Sequence, residues 1–152
     1  MELKFSISGR IARPVDDVFD AVVDPGRLSG YFTTGGAKGR LETGATVTWD
    51  FHDFPGAFPV KVVKVEKNRQ IVLRWEAAPE PDESGSKDTT VTMTFEALDD
   101  GRTLVTIAEE QWRPNAAGLK SSYSNCEGWT QMLCAMKAFV EHGINLRQGF
   151  YK

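Results

Sequence analysis

Glu109 is the side chain in this sequence best placed to do chemistry. It follows Val105 and Ile107 in the segment 103–112, where a period of two puts all three, with Gln111, on one face of a strand. A carboxylate on an inward face can anchor the polar group of a ligand or act as a general acid; the plainer reading is a strand reaching solvent at its end. His52 adjoins Asp53, but neighbouring strand residues point to opposite faces. The two are therefore expected as an exposed pair at a loop edge, not as an acid–base couple. His142 falls at the end of a helical pattern, where an imidazolium complements the helix dipole. Cys126 and Cys134 lie eight residues apart, about 12 Å along a helix axis, beyond the roughly 7 Å a disulfide spans. They are expected as free, buried thiols, which suits a reducing cytoplasm. No histidine sits beside a cysteine pair at ligand spacing, so no metal site is expected. There is no nucleophile elbow or phosphate loop, and nothing implies a cofactor.

A second set of residues suits apolar binding. Trp49, Phe51, Trp75, Met93, Phe95 and Ile107 fall on inward strand positions, and Trp129, Met132, Leu133 and Met136 on one stripe of a helix. They form either a solid core or the lining of an apolar cavity, with Glu109 or Tyr123 as a polar anchor.

Composition bounds the partners. The chain has 152 residues and a net charge of −3, with charges mixed along it, so no basic stripe suggests nucleic acid. No apolar run approaches the roughly 20 residues that span a bilayer. The start, Met1 to Phe5, alternates instead of forming a signal-peptide core. One domain over residues 1–152 in the cytoplasm is expected, as a monomer or a homodimer.

The elements that must position these residues follow from periodicity. Leu3, Phe5, Ile7 and Ile11 alternate with polar residues as a first strand, with Gly9 a candidate bulge. Pro14 opens a helix through Val23; Asp24-Pro25-Gly26 breaks it, and a further turn is expected over 27–32. Residues 33–38 read as a loop. Strands are expected at 39–42, 46–51, 60–66, 70–76, 89–97 and 103–112, with a bulge where the pattern slips between Val62 and Val63. Residues 79–87 read as a polar loop. Arg74 and Glu76 alternate outward from Trp75, as a solvated pair. The last helix is expected over 124–142: Cys126, Trp129, Met132, Leu133, Met136, Val140 and Ile144 recur at steps of three and four. Ser124 and Glu127 have the spacing of a capping box, Gly143 suits a left-handed stop, and Gly128 is the dissonant residue within. The sum is an α+β chain: a curved antiparallel sheet of six to seven strands with a long C-terminal helix.

That order of elements resembles the helix-grip fold of the START-like (SRPBCC) superfamily. Three segments are similar to the family homologous to the activator of the 90-kDa heat-shock protein ATPase. They are Pro14-Val15-Asp16-Asp17-Val18-Phe19, the run from Val65 to Glu76, and Gly128-Trp129 with Leu133, Lys137-Ala138-Phe139 and Gly143-Ile144. The resemblance implies a sheet wrapped around the final helix with room for a ligand between them. The eukaryotic co-chaperones carry a further N-terminal domain that this sequence does not contain. The leading expectation is non-enzymatic binding of a small hydrophobic molecule. The alternatives are a protein-interaction module, with a chaperone as partner, and a cyclase- or hydrolase-like enzyme using the same cavity.

Overall fold

The computed structural model describes residues 2–76 and 88–152; the loop read at 79–87 lies outside the described residues. Ten elements follow in order: β1 (Lys4–Ile11), α1 (Val15–Val23), α2 (Pro25–Leu28), β2 (Gly36–Lys38), β3 (Thr46–Asp50), β4 (Phe58–Glu66), β5 (Gln70–Glu76), β6 (Asp88–Ala97), β7 (Thr103–Glu110) and α3 (Ala116–His142). The strands form one antiparallel sheet in the order β1-β7-β6-β5-β4-β3-β2. The curved sheet packs one face on α1 and α3, which gives the expected α+β architecture.

Alternation builds the sheet. In β6, Val91, Met93 and Phe95 are buried while the residues between them face outward. The expected bulge in β4 appears as a register shift between Val62 and Lys64, which leaves Val63 exposed. One cross-strand row bears on function. Val62 pairs with Leu73, Leu73 with Val91, and Val91 with Glu109. All four are buried, so a carboxylate stands where the row calls for a fourth apolar side chain.

The final helix supplies the opposite wall. Trp129, Met132, Leu133, Met136 and Val140 are buried along one stripe. At about 1.5–3 kcal/mol each, their burial is worth a gross 8–15 kcal/mol or so, an upper bound because unfolded chains already bury some surface. Gly143, at φ 71°, ends the helix with its N–H bonded to the carbonyls of Ala138 and Phe139, as its sequence position suggests.

Several local expectations are corrected. The helix starts at Ala116, eight residues before Ser124. Asn115 caps it by accepting from the Gly118 N–H at 2.8 Å, so the Ser124–Glu127 pair is interior. A Cβ on Gly118 would come within 1.9 Å of the Arg113 carbonyl oxygen, so glycine is required there. Ile144 lies past the helix end and is exposed; Cys126 is half-buried and Cys134 exposed, because both sit off the buried stripe. Residues 39–42 are not a strand; the short edge strand is Gly36–Lys38, pairing with Thr48 to Asp50. The turn after α1 begins earlier than expected, because Asp24 caps α2 through the N–H groups of Gly26 and Arg27. Gly9 is no bulge, since β1 pairs with β7 in unbroken register; Leu133 of α3 packs close over it instead. Gln111 leaves the inward face: at φ 75° it ends β7 and accepts from the Thr90 hydroxyl on the exposed side. Among the described residues no helix is long and apolar enough to cross a membrane.

Candidate functional site

A cleft of about 740 Å³ opens between the β3–β5 end of the sheet and the first half of α3. Its walls are aromatic. Phe32, from the turn after α2, meets Phe51 with ring centroids 5.1 Å apart, and Phe51 meets Phe58 of β4 at 5.8 Å. Phe58 meets Trp75 of β5 at 5.7 Å, Trp75 meets Trp129 of α3 at 5.4 Å, and Trp129 returns to Phe32 at 5.3 Å. The five rings thus form a closed circuit. Their spacings are those at which aromatic pairs attract beyond simple burial, by about 0.5–1.5 kcal/mol each. Trp49, fully buried, meets Phe32 and Trp75 edge-on at 5.4 and 5.9 Å. Its indole N–H is buried without a hydrogen-bond acceptor among the described residues.

Glu109 holds two of these rings in place. It is completely buried. One oxygen accepts from Trp129 Nε1 at 2.8 Å, and the other from Trp75 Nε1 at 2.9 Å and the Thr89 hydroxyl at 2.5 Å. Asn125 Nδ2 donates to both, at 3.1 and 3.2 Å. Every group facing Glu109 donates, which suits an ionised carboxylate, an acceptor only. A buried charge is tolerable when its lone pairs are satisfied in this way. The carboxylate therefore ties helix to sheet through the cleft wall. No described cation forms an ion pair with it.

The open side is built by irregular chain. After Gly143 the tail turns back, with Asn145 accepting from the N–H groups of Arg147 and Gln148. Arg147 reaches the loop after β3 and donates to Asp53 from Nε at 3.1–3.2 Å and from Nη2 at 3.1 Å, both side chains being buried. Its guanidinium lies 4.5 Å from the Phe51 ring centroid and 5.3 Å from that of Tyr151. Tyr151 meets Phe54 edge-on at 5.7 Å. Burial pushes the Tyr151 phenol up from its usual range, with Arg147 pulling the other way. Glu76 and Glu127 stand exposed at the mouth, and Gly128 lines it with open space where a Cβ would be.

Of the residues singled out in the sequence, Phe51, Trp75 and Trp129 line the cleft. Trp49, Met93, Phe95, Ile107, Met132, Leu133 and Met136 sit in the packed core beside or away from it; Phe95, for example, meets Phe19 of α1 at 5.2 Å. Glu109 backs the wall instead of projecting into the space. Tyr123 points away, into a second, shallower groove on the outer side of α3 that it shares with Cys126, Cys134, Leu146 and Phe150. The His52–Asp53 pair divides: His52 contacts the Thr34 hydroxyl at the surface, while Asp53 is buried against Arg147, a partner nearly a hundred residues away that periodicity cannot reveal. Glu76 belongs to the cleft mouth. Phe32, Phe54, Phe58, Arg147 and Tyr151 went unnoticed in the sequence; the only signal was the density of aromatics between residues 51 and 58. Among the described residues no three His, Cys, Asp or Glu side chains gather as metal ligands would.

The fold recurs in solved structures. Protein SSP2350 from Staphylococcus saprophyticus is 26% identical and superposes with a TM-score of 0.78, over 95% of this chain and 96% of its own. Protein MLL2253 from Mesorhizobium loti shares the fold at 15% identity, with a TM-score of 0.79 over 93% of this chain and 99% of its own. The Aha1 dimer from Colwellia psychrerythraea does so at 17% identity, with a TM-score of 0.73 over 93% and 98%. No curated protein sequence matches the chain. Residues 12–141, from the end of β1 almost to the end of α3, match the family described as activator of Hsp90 ATPase homolog 1-like protein, and the chain belongs to that family.

Proposed function

We propose that the protein binds a small apolar molecule in the cleft between the sheet and α3. The observation that carries this reading is the continuous wall of five mutually contacting aromatic rings that lines an open space of about 740 Å³. That size lies in the range of small-molecule sites, and apolar walls with a few fixed polar groups are their usual make-up. Glu109 fits as a positioning residue. Its acceptor capacity is committed to Trp75, Trp129, Thr89 and Asn125, so ligand contact falls to the rings. The test is a titration with N-phenyl-1-naphthylamine, whose fluorescence rises in apolar surroundings. Saturable binding that is lost in Trp75→Ala, with the variant still folded, supports the reading. Absence of saturable binding overturns it.

A second reading is favoured by a separate observation. Tyr123, Leu146 and Phe150 are exposed around the outer groove of α3, an apolar surface of the kind that meets other proteins. The Colwellia psychrerythraea relative is described as a dimer. We infer a contact with a second copy there. Light scattering after size exclusion should then report a dimer that Tyr123→Glu with Phe150→Glu converts to monomer; a monomer at high concentration refutes it.

A further inference from the structure

Glu109 poses a question that apolar binding alone leaves open. A fully buried carboxylate occupies an apolar row of the sheet, with no described cation against it. Burying such a charge is costly even when its hydrogen bonds are satisfied. Its position gives it a consequence for the cleft, because two of its donors are the indole N–H groups of Trp75 and Trp129. A carboxylate accepting from the ring edge pushes electron density onto the ring, and its own charge lies just behind the wall. Both effects make the ring surface that lines the cleft, chiefly that of half-buried Trp75, more attractive to a cation.

The mouth carries the same sign. Glu76 and Glu127 line it, and neither has an ion-pair partner among the described residues. Among the described residues Arg147 is the one lining side chain with the opposite charge, and Asp53 grips it bidentately, so its charge is already answered. Lys152 sits over Phe54, its Nζ 4.5 Å from the ring centroid, at the outer edge. Among the described residues, four carboxylates, Asp53, Glu76, Glu109 and Glu127, thus stand against two cations around one aromatic space.

We propose that the cleft selects apolar molecules that carry a positive charge: aromatic or alkyl amines and quaternary ammonium compounds, seated with the charge against Trp75 and Trp129 and towards Glu127. This rests on the cleft being a ligand site. An anionic amphiphile such as a fatty acid would meet the carboxylates with like charge, and a neutral molecule would gain only burial.

Calorimetric titration of the full chain with three probes of one shape tests it: 2-naphthylmethyl-trimethylammonium, 2-naphthylmethanol and 2-naphthylacetate. The ammonium probe should bind about tenfold or more tighter than the alcohol, on the scale of cation–π attraction at a desolvated site, and the carboxylate weakest. The preference for ammonium over alcohol should shrink severalfold in Glu127→Gln, which alters only an exposed rim group, and in Glu109→Gln, with circular dichroism confirming the fold of each. Equal or tighter binding of naphthylacetate overturns the charge preference and leaves apolar binding standing. So does an ammonium preference unchanged in both variants. Failure of all three probes, the neutral alcohol included, overturns the cleft as a ligand site.

Discussion

Gly128 offers a direct way to ask whether the cleft is open space or packed interior. It lies inside α3, where glycine costs about 0.8–1 kcal/mol relative to alanine. A Cβ built at this position meets nothing within 4 Å beyond its own helix. Gly128→Ala therefore adds no clash and gains no packing, and the helix-propensity difference should appear almost undiluted, as about 0.5–1 kcal/mol of added stability. For a chain of 152 residues this corresponds to a rise in Tm of about 1–4 °C. Urea unfolding followed by tryptophan fluorescence should show the midpoint moving up with an unchanged slope. Gly128→Leu extends the perturbation: its side chain points into the cleft, so N-phenyl-1-naphthylamine should bind at least tenfold more weakly while the unfolding midpoint stays at or above that of the parent. A Gly128→Ala protein destabilised by 1 kcal/mol or more would refute the reasoning, because a methyl group would then be meeting matter where the structure has space. A Gly128→Leu protein that keeps full probe affinity would place the probe elsewhere.

Other perturbations have defined outcomes. Glu109→Ala strands four donors, two of them buried indole N–H groups, and should cost about 2–5 kcal/mol in denaturant unfolding; a loss below 1 kcal/mol would mean water replaces the carboxylate at once. Asp53→Ala leaves the Arg147 guanidinium buried without its partner and should cost about 3–5 kcal/mol, whereas the double change Asp53→Leu with Arg147→Met should recover most of that loss in the same assay. The Tyr31 phenol is fully buried, donates to the Ala21 carbonyl at 3.0 Å, and is pushed by burial far above its usual value of about 10. A folded value raised above the unfolded one gives stability that is complete below pH of about 10 and falls as pH rises past it, because only the unfolded chain releases the proton. Unfolding free energies measured across the alkaline range should show that slope, and Tyr31→Phe should flatten it.

The parts of the molecule that repeat were legible in the sequence. Val91, Met93 and Phe95 announce their strand by alternation, and Trp129 to Val140 announce a helix face by steps of three and four. The first two turns of α3 escaped because residues 116–123 carry no apolar stripe; there Gly118, Ser121 and Ser122 are buried instead, and small polar residues leave no periodic mark. The edge strand β2 is three residues long and opens on a glycine, too little for any pattern. In the cleft, Phe51, Trp75 and Trp129 were reachable from regular elements. Phe32, Phe54, Arg147 and Tyr151 were not, since they come from turns and the tail, where position is fixed by long-range partners such as Asp53. Parity turned Glu109 inward; its four donors come from three other elements that only the folded chain assembles.

That assembly has an evolutionary consequence. Trp75, Thr89, Asn125 and Trp129 share one acceptor. A lineage that loses Glu109 strands all four at once. A lineage that replaces it by glutamine keeps one oxygen but sets an amide N–H₂ against one of the two indole groups, which can only donate. Residues 75, 89, 109, 125 and 129 are therefore expected to be inherited or exchanged as a set among relatives, with apolar replacements appearing together at all five. A sequence holding the two tryptophans without the carboxylate should carry some new acceptor in its place.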